Sequence, residues 1–97
     1  MTESQAIWKI VWARAARGPN AREPFEIDEV VPDVVEALGV SEEAAKRKVA
    51  GLLKELERLP EGEQYFAMEG NAVEPLEEFA AAPKDAETAL RLYPFEI

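Results

Sequence analysis

The sequence predicts an α+β domain that is mainly helical: three helices, a β-hairpin and a short helical extension. Three observations carry that expectation. Apolar residues recur at helical spacing in three stretches before Pro60. Gly39 and Ser41 lie between the second and third stretches, a stop signal and a start signal almost in contact. Gly70-Asn71 then separates two short runs that read as strands.

Each element follows from its own residues. Thr2 with Gln5 three positions on forms a capping-box pattern, so the first helix is expected to begin there and to run to about Arg17. Gly18-Pro19-Asn20 supplies its stop. Ile7, Trp8, Ile10, Val11, Trp12 and Ala15 make an apolar arc of more than half the circumference, wider than one small core requires. Two readings of that width stand. Ile7, Trp8, Val11 and Trp12 form an interface with a second chain or with the C-terminal segment, or both tryptophans fill the intramolecular core.

Pro24 to Ile27 reads as a short extended piece. Ile27, Val30, Val31, Val34, Val35 and Leu38 then form one helical stripe, with Asp28 a candidate N-cap and Pro32 tolerated near the first turn. Gly39 suits the left-handed residue that ends a helix, and Val40 can make the apolar contact beyond it. Ser41 caps the next helix, whose first turn holds Glu42 and Glu43 where the helix dipole favours acid. Ala45, Val49, Leu52, Leu53, Leu56 and Leu59 share its inner face, and Pro60 ends it. Candidate strands cover Gln64 to Met68 and Ala72 to Leu76, with Gly70 and Asn71 both tolerant of positive φ in the turn between them. Two helical pieces follow, Leu76 to Ala82 and Asp85 to Tyr93, the second with Ala86, Ala89, Leu90 and Tyr93 on one face.

Leu38-Gly39-Val40-Ser41 and the helix through Leu52, with its Lys46-Arg47-Lys48 triplet, resemble the helix-turn-helix of small winged-helix regulators. The likeness is to the leucine-responsive (feast/famine) type and covers roughly Ile27 to Leu76. It implies a winged helix-turn-helix domain over 1–76, with 77–97 a helical extension packing on that domain or on a partner chain. It further implies that the helix opening at Ser41 enters the major groove of double-stranded DNA. Residues at the positions of Glu42, Glu43, Ala44, Lys46, Arg47 and Ala50 would then face the duplex, while those at Ala45, Val49 and Leu52 pack inward. Lys48 joins the candidate DNA contacts through the triplet, and Lys9, Arg14 and Arg17 are candidate phosphate contacts.

Charge pulls both ways. The chain carries a formal net charge of −9. Residues 1–22 hold four bases and one acid, and residues 46–58 hold five bases and two acids, so positive charge gathers on the first and third helices. Residues 23–45 hold eight acids and no base. Glu63, Glu69 and Glu74 lie in or beside the hairpin, which has no Lys or Arg. DNA affinity rests on local phosphate neutralisation, so a patch can outweigh the net value. The alternative is a protein-docking module that keeps the scaffold and uses the acidic hairpin or the apolar first helix. Within the triplet, pairing with Glu42 and Glu43 at i−4 and i−3 would leave only a solvated face.

Other chemistry finds little footing. With neither His nor Cys, the chain lacks the usual zinc ligands, imidazole acid/base groups and thiol nucleophiles. Glu42-Glu43 and Glu77-Glu78 are sequence neighbours about 100° apart on a helix, not acid/base pairs. No glycine-rich phosphate loop or calcium loop is present. The expectation is a non-enzymatic protein with no cofactor and no metal. MTESQ does not resemble a signal peptide and no apolar run approaches a bilayer span, so a cytoplasmic protein is expected. The wide apolar arc of the first helix adds the expectation of a homodimer through that helix and the tail.

Overall fold

The computed structural model describes residues 1–17 and 23–95, and within them the chain is mainly helical with one antiparallel sheet. In order the elements are α1 (Glu3–Ala16), β1 (Phe25–Glu26), α2 (Val31–Leu38), α3 (Glu42–Glu55), β2 (Phe66–Glu69), β3 (Ala72–Pro75), α4 (Glu77–Ala81) and α5 (Ala86–Arg91). Single 3-10 turns at Ile27–Glu29 and Leu56–Arg58 lead into α2 and out of α3.

Local signals account for most boundaries. Thr2 caps α1 through a capping box closed with Gln5, as its spacing predicts. The Gly18-Pro19-Asn20 stop lies outside the described residues. Asp28 is not the cap of α2. A 3-10 turn intervenes, closed by Glu29 accepting from the Glu26 backbone N–H at 2.9 Å, and α2 starts from Val30 with Pro32 in its first turn. The stripe from Ile27 to Leu38 still packs on the core, with Ile27, Val30, Val31 and Val34 buried and Val35 and Leu38 half-buried against it.

The sheet has the order β1-β3-β2. Phe66 pairs with Pro75 and Met68 with Val73, while Phe25 pairs with Val73 from the other side. Phe25, Phe66 and Val73 point into the core, whereas Glu69 and Glu74 point to solvent, the alternation that a half-covered sheet demands. The hairpin turn has positive φ only at Gly70 (60°), so Asn71 does not use its tolerance, a pattern of type II′ turns.

Tyr65 enters β2 with φ 61°, and Phe66 N–H bonds back to Gln64 O at 2.6 Å, making a three-residue turn that is strained for a bulky side chain. Its ring is thereby aimed at both tryptophans, with centroids 6.0 Å from Trp8 and 5.8 Å from Trp12. Burial, then Glu63 and Glu78, pushes its phenol pKa up.

The segment beyond residue 76 packs into the same core. Phe79 meets Trp12 edge-to-face at 4.7 Å and lies tilted at 5.1 Å from Phe66, and it is fully buried. Lys84 closes the end of α4, donating to Phe79 O (2.7 Å), Ala80 O (3.1 Å) and Ala82 O while lying 4.7 Å from the Phe79 ring centre. Burial lowers its pKa. Asp85 caps α5 through the Thr88 backbone and hydroxyl, which hold its carboxyl below the ordinary range. The predicted α5 face is only partly right: Ala89 and Thr88 are buried, but Ala86 is exposed. No helix among the described residues is long and apolar enough to cross a membrane.

Candidate nucleic-acid interface

The site is built on the α2–turn–α3 unit. Gly39 has φ 67°, a region that costs an L side chain about 1–2 kcal/mol, and its N–H donates to Val35 O at 2.9 Å. Ser41 Oγ then accepts from Ala44 N–H at 3.1 Å, supplying one of the partners that a helix start lacks. Gly39, Val40 and Ser41 are thus the whole connection, and Val40 rests on the core. Ala45, Val49, Leu52 and Leu53 bury one face of α3, which fixes what the opposite face can present.

That opposite face is exposed at Glu42, Glu43, Arg47, Gly51 and Lys54, with Ala44 and Ala50 half-buried beside it. The basic triplet does not form a patch, since successive helical residues diverge by about 100°. Lys46 turns toward the segment before α2 and lies 3.3 Å from Asp28 Oδ1. Lys48 turns the other way, 2.9 Å from Glu3 Oε1 at the start of α1. Arg47, between them, has no ion-pair partner among the described residues. The i−4 and i−3 pairing with Glu42 and Glu43 is absent from the described ion pairs; the acids come instead from distant elements. Asp28 does chemistry there that its sequence position, which suggests a cap, conceals.

Exposed pairs of this kind contribute about 0–1 kcal/mol, so Lys46 and Lys48 can exchange a carboxylate for a phosphate at little cost. The bases of α1 do not join them. Arg14 is held 2.6 Å from Glu29 and lies 4.9 Å from the Phe25 ring centre. The Glu29 carboxyl sits below its ordinary pKa because it accepts from the Glu26 backbone and then from Arg14. Lys9 and Arg17 border a groove between α1 and α2. Compared with family models, curated proteins and solved structures, the chain matches none. The arrangement of its own residues is therefore what bears on function.

For Ile7, Trp8, Val11 and Trp12, burial corrects only the second-chain reading and favours the core and the C-terminal segment. They are 3%, 0%, 0% and 1% exposed within the single chain and offer no surface to a second copy. Their width of arc is used by the tail and hairpin: Trp8 Nε1 donates to Ala89 O of α5 at 2.8 Å, and its ring meets Phe66 at 5.5 Å. Trp12 Nε1 is buried without a partner among the described residues. The hairpin presents Glu63, Glu69 and Glu74 to solvent, and among the described residues no group of three carboxylates is placed to hold a metal ion.

Proposed function

We propose that the chain is a winged-helix protein that binds double-stranded DNA through α3 and catalyses no reaction. The observation that carries this reading is the order α1-β1-α2-α3-β2-β3, with β1 in the hairpin's sheet and α3 joined to α2 by three residues. That connectivity buries one side of α3 and leaves the other projecting, which is what major-groove entry requires.

Arg47 is the principal cation of the interface, and Lys46 follows once it releases Asp28. Lys48, drawn toward α1, lies at the margin and contacts backbone phosphate at most. Ala44 and Ala50 are small enough to let the helix approach, and methyl groups there suit thymine contacts. Glu42 and Glu43 restrict the sequences accepted, since a carboxylate in the groove needs a cytosine amino group.

The test is titration of mixed-sequence duplex with wild type and Arg47→Glu across a salt series. Binding with a Kd of roughly 10⁻⁴ to 10⁻⁶ M that weakens with salt and is lost in the variant supports the reading. No binding at low salt sinks it.

A second reading, an acidic docking module without DNA binding, is favoured by the exposed hairpin acids and by the carboxylates beside Lys46 and Lys48. Replacing Glu69 and Glu74 by Lys tests it, because an unchanged set of captured proteins removes the hairpin from consideration.

A further inference from the structure

The tryptophan face of α1 is consumed by the core, yet α1 keeps a second apolar strip. Ala6, Ile10 and Ala13, with Ala37 of α2, floor a groove of two adjoining hollows of about 350 and 500 Å³. Met1 lies at one end and, at 75% exposed, is the large hydrophobic residue most open to solvent among those described. The two edges have opposite charge. Lys9 and Arg17 stand on the α1 side, Asp33 and Glu36 on the α2 side. None of these four makes an ion pair among the described residues.

We propose that this groove is the contact by which two copies of the chain pair. A partner of one charge would be attracted by one edge and repelled by the other. A second copy matches both. A two-fold axis along the groove lays each α1 edge over the partner's α2 edge, so Lys9 and Arg17 meet the partner's Asp33 and Glu36. The same operation closes both apolar strips, and the alanines allow helices to approach within about 8–10 Å. The net charge of −9 opposes association at long range, but at physiological salt this repulsion is confined to about 8 Å. Pairing is independent of DNA binding, since α3 takes no part in it.

Sedimentation equilibrium from micromolar to millimolar concentration tests the proposal. Wild type is expected to rise from one chain toward two. Asp33→Lys with Glu36→Lys, and separately Lys9→Glu with Arg17→Glu, should each weaken pairing by at least about tenfold through like-charge contacts. An equimolar mixture of the two double variants should recover it. Circular dichroism of these surface variants checks that they fold, and Ala13→Glu, which places acid in the apolar floor, provides an independent disruption. A wild type that stays a single chain throughout overturns the proposal. So does pairing that survives Ala13→Glu or a mixture that fails to recover.

Discussion

The aromatic junction and the α2–α3 pair hold the same small domain together by different means. At the junction, Trp8, Trp12, Tyr65, Phe66 and Phe79 come from α1, the hairpin and the tail, with ring centroids 4.7–6.2 Å apart. In α2 and α3 the small residues Val31, Val34, Ala45 and Val49 are buried, and the turn that joins the two helices is shaped by one glycine and one serine. Segments distant in sequence need large side chains with directional contacts, because closing the intervening loop costs entropy that small contacts do not offset. Neighbouring helices need only a turn that points them correctly. Stability should therefore be concentrated at the junction, leaving the exposed face of α3 open to functional choice.

The largest expected effect is Phe79→Ala. It removes a fully buried ring at the centre of the junction and should cost about 3–5 kcal/mol, read by urea denaturation followed by circular dichroism. A loss under about 1 kcal/mol would break the contrast, because it would mean the tail adds little to the core.

Next comes a matched pair within the junction. Trp8→Phe and Trp12→Phe remove similar volume, but only Trp8 donates a described hydrogen bond, to Ala89 O. Trp8→Phe leaves that carbonyl orphaned and should cost about 1–3 kcal/mol more than Trp12→Phe. Equal losses would show that Trp12 has a partner of its own.

In the helix pair, Gly39→Ala meets no neighbouring atom and should cost only the left-handed strain, about 1–2 kcal/mol. Ser41→Ala should cost about 1 kcal/mol by removing the cap. Either change exceeding Phe79→Ala in the same denaturation series would reverse the comparison.

The smallest expected effect concerns pH. The Glu29 pKa is lowered on folding from an ordinary 4.5, so the carboxylate form is favoured in the native state. Its contribution is present above pH 4.5 and is lost as pH falls through the lowered native value. Glu29→Gln should therefore flatten the acid limb of a thermal-melt series below that pH and change little near neutrality. A variant that melts in parallel with wild type at every pH would mean the Glu26 and Arg14 contacts do not favour the ionised form.

The candidate interface was legible in the sequence to a limited depth. That α3 opens at Ser41 and buries Ala45, Val49 and Leu52 follows from periodicity, and the structure agrees. The company of the triplet was hidden. Glu3 lies 45 positions from Lys48, and no local pattern connects them. Asp28 was misread because an Asp before a helical stripe resembles a cap, and a 3-10 turn was not distinguishable from the first turn of a longer helix.

Caps, glycines and apolar spacing act within a few residues of where they lie, so the kinds, order and approximate limits of the elements are local properties of the chain. What covers the wide face of α1 is not a local property. The tail and the strained turn at Tyr65 bring Phe79, Phe66 and Ala89 onto the tryptophans, so the surplus apolar strip is the one at Ala6, Ile10 and Ala13. Helical periodicity reports how much surface must be buried, but not which distant segment buries it; that depends on long-range packing.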